Sequence, residues 1–122
     1  MTNTLATRVA AAMGFLAVAL GAFGAHGLKQ VLEQNQTLET WKTAALYHLA
    51  HAVMLVMLAL RRPLLRGPWV SFLIGIVIFS GSLYVLAVTN LKWLGAIAPV
   101  GGLSLMVGWG WLMVAGDGKQ ET

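Results

Sequence analysis

The chain has 122 residues, 58% hydrophobic and only 10% charged, with a formal net charge of +4. A soluble domain carries about 25% charged residues, so a chain this short and this poor in charge cannot cover a water-facing surface and belongs in a membrane. Without cysteine it can form no disulfide, thiolate metal site or thiol redox centre, and its scattered basic residues lack the stripe that nucleic-acid binding needs.

Between the Arg, Lys, Asp and Glu positions lie four charge-free windows, 9–28, 43–60, 67–91 and 93–116. Roughly 20 apolar residues carry a helix across a hydrocarbon core. Every window fits, and none shows the period-2 alternation of a barrel strand. The fold class expected is therefore all-α: an integral membrane bundle of four transmembrane helices in one domain over 1–122.

The first helix is expected over about 9–28. Arg8 and the apolar run after it resemble a signal peptide, but the run exceeds the usual apolar core of one, so an uncleaved span is expected. Ala17, Gly21 and Ala25 lie four apart, a small-residue stripe that lets another backbone approach closely, and Gly24 adds to it. Residues 29–42, KQVLEQNQTLETWK, read as a short amphipathic segment with Trp41 at headgroup level. Asn35-Gln36-Thr37 is a glycosylation sequon that matters only in a glycosylating host.

The second helix, about 43–60, ends at Arg61-Arg62-Pro63. The third, about 69–90, opens after Pro68, and a tight turn at Thr89–Lys92 makes it antiparallel to the fourth, about 93–115. Pro99 lies in the fourth helix's first two turns, where a missing N–H is tolerated; Gly101 and Gly102 follow it as packing positions. A polar tail from Gly116 is expected to fray.

Arg8, Arg61, Arg62, Arg66 and Lys119 share one side of such a bundle, against Lys29, Lys42 and Lys92 on the other. The positive-inside rule then puts both termini in the cytoplasm of a bacterial-type inner (plasma) membrane. The Arg61/Arg62/Arg66 group serves chiefly as a topology determinant, with anionic lipid contact as the alternative.

The three histidines are the chemical question. His26 closes the first helix on the outer side, and His48 and His51 lie roughly 8 and 12 Å below the start of the second, at about 1.5 Å per residue. All three fall in the outer half of the membrane, at the depth of Tyr47, Ser80, Ser82 and Tyr84. If they converge, His26 and His48 substitutions will be non-additive, and measurable coupling between them is expected. Three imidazoles suffice for a metal, two could hold a haem, and one near neutral pKa could move protons. The reading preferred is structural: His, Tyr and Ser side chains bonding across helices, at about 0.6 kcal/mol each, with no cofactor. No carboxylate stands in the spans to orient a histidine, so no catalytic residue is assigned. Function is read as a non-enzymatic structural or interaction protein, a homo-oligomer or an accessory subunit in the bilayer. The alternative is a small-ligand or ion-handling protein using His26, His48 and His51.

GAFGAHGLK (21–29), WKTAALYHLAHA (41–52), FSGSLY (79–84) and APVGG (98–102) together resemble the YgdD-like family, domain of unknown function 423, and are similar to transmembrane protein 256. The resemblance implies a small four-helix inner- or plasma-membrane protein of unassigned role. Its recurring motif positions fall on Gly24, Ala25, His26, Tyr47, His48, His51, Ser80, Gly81, Ser82, Tyr84, Pro99, Gly101 and Gly102. It lends no catalytic residue.

Overall fold

The computed structural model describes residues 1–116. The expectations for Lys119 and for the tail beyond Gly116 lie outside them. The chain order is α1 Asn3–Ala25, α2 Lys29–Asn35, α3 Leu38–Leu60, α4 Arg66–Thr89 and α5 Lys92–Ala115. Within α4 a π-helical turn, Ile76–Ser80, interrupts the α-helix. A 3₁₀ turn, Lys92–Ala96, opens α5. The described residues contain no strand, and α1, α3, α4 and α5 are each long and apolar enough to cross a membrane.

Local chemistry sets the ends. Thr2 caps α1, its hydroxyl accepting from the Leu5 N–H at 3.0 Å. Pro63 disfavours helical geometry in the residue before it, and α3 stops at Leu60. Asn90 closes α4 in the left-handed region at φ 60°, which asparagine tolerates better than most residues. Pro99 sits at the start of the α-helical part of α5, where no partner for its missing N–H is needed.

The helices overrun the charge-free windows. α1 begins at Asn3 and contains Arg8; α3 begins at Leu38 and contains Glu39 and Lys42, which pair at 3.5 Å on an exposed face. Charge ends the hydrocarbon crossing, but a helix continues until its backbone is capped or broken, and long cationic side chains reach back to water.

The main pairings run in chain order: α1 on α3, α3 on α4, α4 on α5, with no comparable pairing of α1 with α5. The spans therefore form a row. Its inner members α3 and α4 have 39% and 33% of their apolar windows buried, its outer members α1 and α5 only 17% and 22%.

Two apolar clusters hold the row. The larger joins Ala6 and Ala10 to Leu55, Leu58, Ala59, Trp69, Phe72, Ile76 and Leu105. The smaller joins Leu32, Trp41 and Ala87. Trp41 is no headgroup anchor: it is 4% exposed, and its indole N–H donates to the Leu20 carbonyl at 2.9 Å. Gly24 makes room for it, since a Cβ there would run into the indole ring.

The face of α1 turned to α3 carries Ala6, Ala10, Ala17 and Gly24. Gly21 is only partly covered and Ala25 is exposed. Residues seven apart return to within about 20° on a helix, whereas each four-residue step turns about 40°, so the expected stripe rotates away from its neighbour.

Candidate functional site

Along α3 a polar layer separates the two apolar clusters. It contains His48 and His51 from α3, Ser80 and Tyr84 from α4, and Trp109 from α5. The π turn lies at this level. Its extra residue per turn places Phe79 against α5 and Ser80 against α3, where the Ser80 hydroxyl donates to the Ala44 carbonyl at 2.8 Å.

His51 is saturated. The indole N–H of Trp109 reaches its Nε2 at 3.0 Å, and its Nδ1 lies 2.8 Å from the Tyr47 carbonyl. An indole can only donate and a carbonyl can only accept. Nε2 is therefore the bare nitrogen and Nδ1 carries the proton. Protonating Nε2, or placing a metal on it, would break the Trp109 bond. The ring also stacks on Tyr47, 6.2 Å between centroids and 10° between planes, and meets Phe72 and Trp109 at steeper angles.

His48, one turn earlier, is differently placed. Its Nδ1 lies 2.9 Å from the Tyr84 hydroxyl, which can donate or accept. Its Nε2 is buried without a hydrogen-bond partner. The main chain of Met13 lies beside the same ring. One nitrogen of His48 thus stays uncommitted, and its tautomer is free.

The two rings serve opposite sides of the row. His51, with Tyr47, Phe79, Pro99, Met106 and Trp109, lines a groove of about 620 Å³ between α3 and α5. His48, with Met13, Leu16, Ser80 and Tyr84, borders a smaller hollow of about 190 Å³ between α1 and α4. His26 belongs to neither: it is exposed beyond the end of α1, where only its main chain is engaged, in the capping turn. The structure thus does not bring the three histidines together. Among the described residues no group of three or more His, Asp or Glu side chains is placed to hold a metal ion. Ser82 bonds its own turn, to the Phe79 carbonyl at 3.0 Å.

Gly101 sits against the Phe79 main chain so closely that a Cβ would collide with it, whereas Gly102 faces the groove with room to spare. Trp109, central to this geometry, gives no local signal in the sequence: it lies 58 residues from His51. The sequon residues are engaged as well. Thr37 donates to the Ala87 carbonyl at 2.7 Å and the Asn35 amide to the Ala87 and Val88 carbonyls at 3.0 Å, tying the α2–α3 corner to the end of α4.

The family model described as "Protein of unknown function (DUF423)" matches residues 20–102, which include every member of the polar layer but Trp109. The UPF0382 membrane protein YwdK of Bacillus subtilis is 44% identical over 107 residues, spanning 82% of this chain and 85% of the relative. A UPF0382 membrane protein of Haemophilus influenzae is 40% identical over 113 residues, spanning 89% and 90%. In Schizosaccharomyces pombe the UPF0382 membrane protein C1782.12c is 33% identical over 113 residues, spanning 87% and 96%. No solved structure matches.

Proposed function

The chain belongs to the DUF423 family of membrane proteins, and on that premise we propose that it is a non-enzymatic assembly subunit of the inner (plasma) membrane, with both termini cytoplasmic. It works by contact with a second copy of itself or with a neighbouring membrane protein. The observation that carries this reading is the open row: only 17% and 22% of the apolar stretches of α1 and α5 are buried, and the two helices do not pair with each other.

Small residues on α1 suit such a contact. Ala11, Gly14, Gly21 and Ala25 share an arc of roughly 80°, and a Cβ added at Gly14 or Gly21 would meet nothing within 4 Å. Between membrane helices, van der Waals packing and close backbone approach replace the hydrophobic drive. The internal polar groups meanwhile serve the chain's own packing: Trp41, Thr37, Ser80 and Ser104 each donate to a carbonyl on another helix. Cytoplasmic termini are supported by Arg8, Arg61, Arg62 and Arg66, which lie near the start of α1 and at the α3–α4 connection, on one side of the membrane.

The chain's lack of cysteine makes the test clean. In native membranes, Gly14→Cys and Gly21→Cys are expected to form disulfide-linked dimers, or adducts with a partner, on mild oxidation. Ala12→Cys, on another face of α1, is expected not to. A strict monomer in mild detergent, with no cross-link at 14 or 21, overturns the reading. Reporter fusions at residue 64 and at the C-terminus should both signal cytoplasm.

The α3–α5 groove favours a second reading, ligand handling. Its volume of about 620 Å³ lies within the ~300–1,000 Å³ range of small-molecule sites, and its lining suits an apolar molecule with one hydrogen-bonding group. Saturable tryptophan quenching by a lipophilic probe, abolished by Gly102→Leu, would support it. Linear partitioning would count against it.

A further inference from the structure

Where α1 begins and α3 ends, a shallow cavity of about 300 Å³ is lined by Asn3, Thr4, Thr7, Arg8, Ala59 and Arg62, with Leu60 at its edge. Its two cations come from different segments, Arg8 from α1 and Arg62 from the bend just beyond α3, and among the described residues no carboxylate lines it. The one ion pair among the described residues, Lys42–Glu39, is near the start of α3, at the opposite end of that helix. The α3 carbonyls that would face an anion here are already engaged: the Asn3 amide donates to the Ala59 and Arg61 carbonyls at 2.8 and 2.9 Å. The Thr7 hydroxyl donates to the Asn3 carbonyl at 2.7 Å, and Thr4 and the two guanidinium forks are the remaining side-chain donors lining the cavity that make no hydrogen bond to the described residues.

We propose that this cavity binds the phosphate of an anionic lipid headgroup, held between Arg8 and Arg62. A guanidinium matches phosphate oxygens in a two-pronged fork, and two of them, one near the start of α1 and one just past the end of α3, can bracket one anion. A lipid is the source because of position: the cavity opens at the boundary where two spans leave the apolar layer, with Leu60, 66% exposed, beside the arginines. A headgroup phosphate and the first carbons of its chains meet that pairing of charge and grease. Basic pockets between spanning helices at this depth suit such headgroups.

The test uses delipidated full-length protein in mild detergent, titrated with phosphatidylglycerol or phosphatidylcholine and read by native mass spectrometry. Wild type is expected to bind phosphatidylglycerol roughly tenfold or more tighter than phosphatidylcholine, and Arg8→Gln/Arg62→Gln to lose that preference. Arg8→Gln and Arg62→Gln singly should each weaken binding about fivefold, and they decide the matter if the double variant fails to fold. Arg66, whose guanidinium donates to the Met1 carbonyl at 3.3 Å and which does not line the cavity, is the control. Arg66→Gln should retain the preference. Equal binding of the two lipids, or equal loss in all three single variants, overturns the proposal. So does displacement of phosphatidylglycerol by millimolar inorganic phosphate, which would make the site one for a soluble anion.

Discussion

His48 and His51 lie three residues apart on α3, both buried, yet they face different neighbours. His51 is held at both nitrogens, by Trp109 from α5 and by its own helix at Tyr47. His48 is held at one, by Tyr84 from α4, and its second nitrogen is buried without a partner. A three-residue step falls about 60° short of a full turn. In a row of helices that angle is enough to send one ring into the α3–α5 groove and the other toward α1 and α4. Spacing that brings two side chains onto one face of an isolated helix does not bring them into one site when their partners come from different helices.

That difference breaks most completely if α5 is forced off α4. The obstacle to a side chain at 101 is the Phe79 main chain, which cannot turn aside. Gly101→Ala is expected to cost about 3 kcal/mol or to prevent folding. In detergent-unfolding experiments the surviving fraction should lose the Trp109–His51 contact while keeping His48–Tyr84. A variant within ~0.5 kcal/mol of wild type would show that the two helices do not approach this closely.

A narrower cut removes one side of the comparison at a time. His51→Ala empties a packed position and strands the Trp109 indole, at about 2–4 kcal/mol. Trp109→Phe keeps most of the ring and loses one hydrogen bond, about 1 kcal/mol. The double variant should show a coupling of about 1 kcal/mol; simple addition would mean that the bond contributes nothing.

Tyr84→Phe should cost less than His51→Ala, about 1 kcal/mol, because it removes one hydroxyl and leaves the ring packed. Its readout is equilibrium unfolding beside His48→Ala, and a loss equal to that of His51→Ala would erase the distinction. Smallest of all is His26→Ala, within about 0.5 kcal/mol of wild type. It should add to His48→Ala to within ~0.5 kcal/mol, in contrast to the coupling that convergence would bring. A measured coupling above about 1 kcal/mol would return His26 to a shared site.

What the sequence by itself determined is the number of spans, their antiparallel order and the family. Moving a residue from water into lipid is a property of that residue alone, so charge-free windows and motif strings report it directly. The same arithmetic placed His26, His48 and His51 at similar depth, but depth is one coordinate of three. Only the tertiary structure decided azimuth and partner: that α1 turns Ala10, Ala17 and Gly24 to α3 rather than the 17/21/25 stripe, and that Trp41 fills the space beside Gly24. It also decided that a π turn in α4 separates the histidines' surroundings, and that Trp109 closes on His51. These are relations between two surfaces. Each depends on the rotation of one helix against another, and no periodicity within a single helix encodes which neighbour will face it.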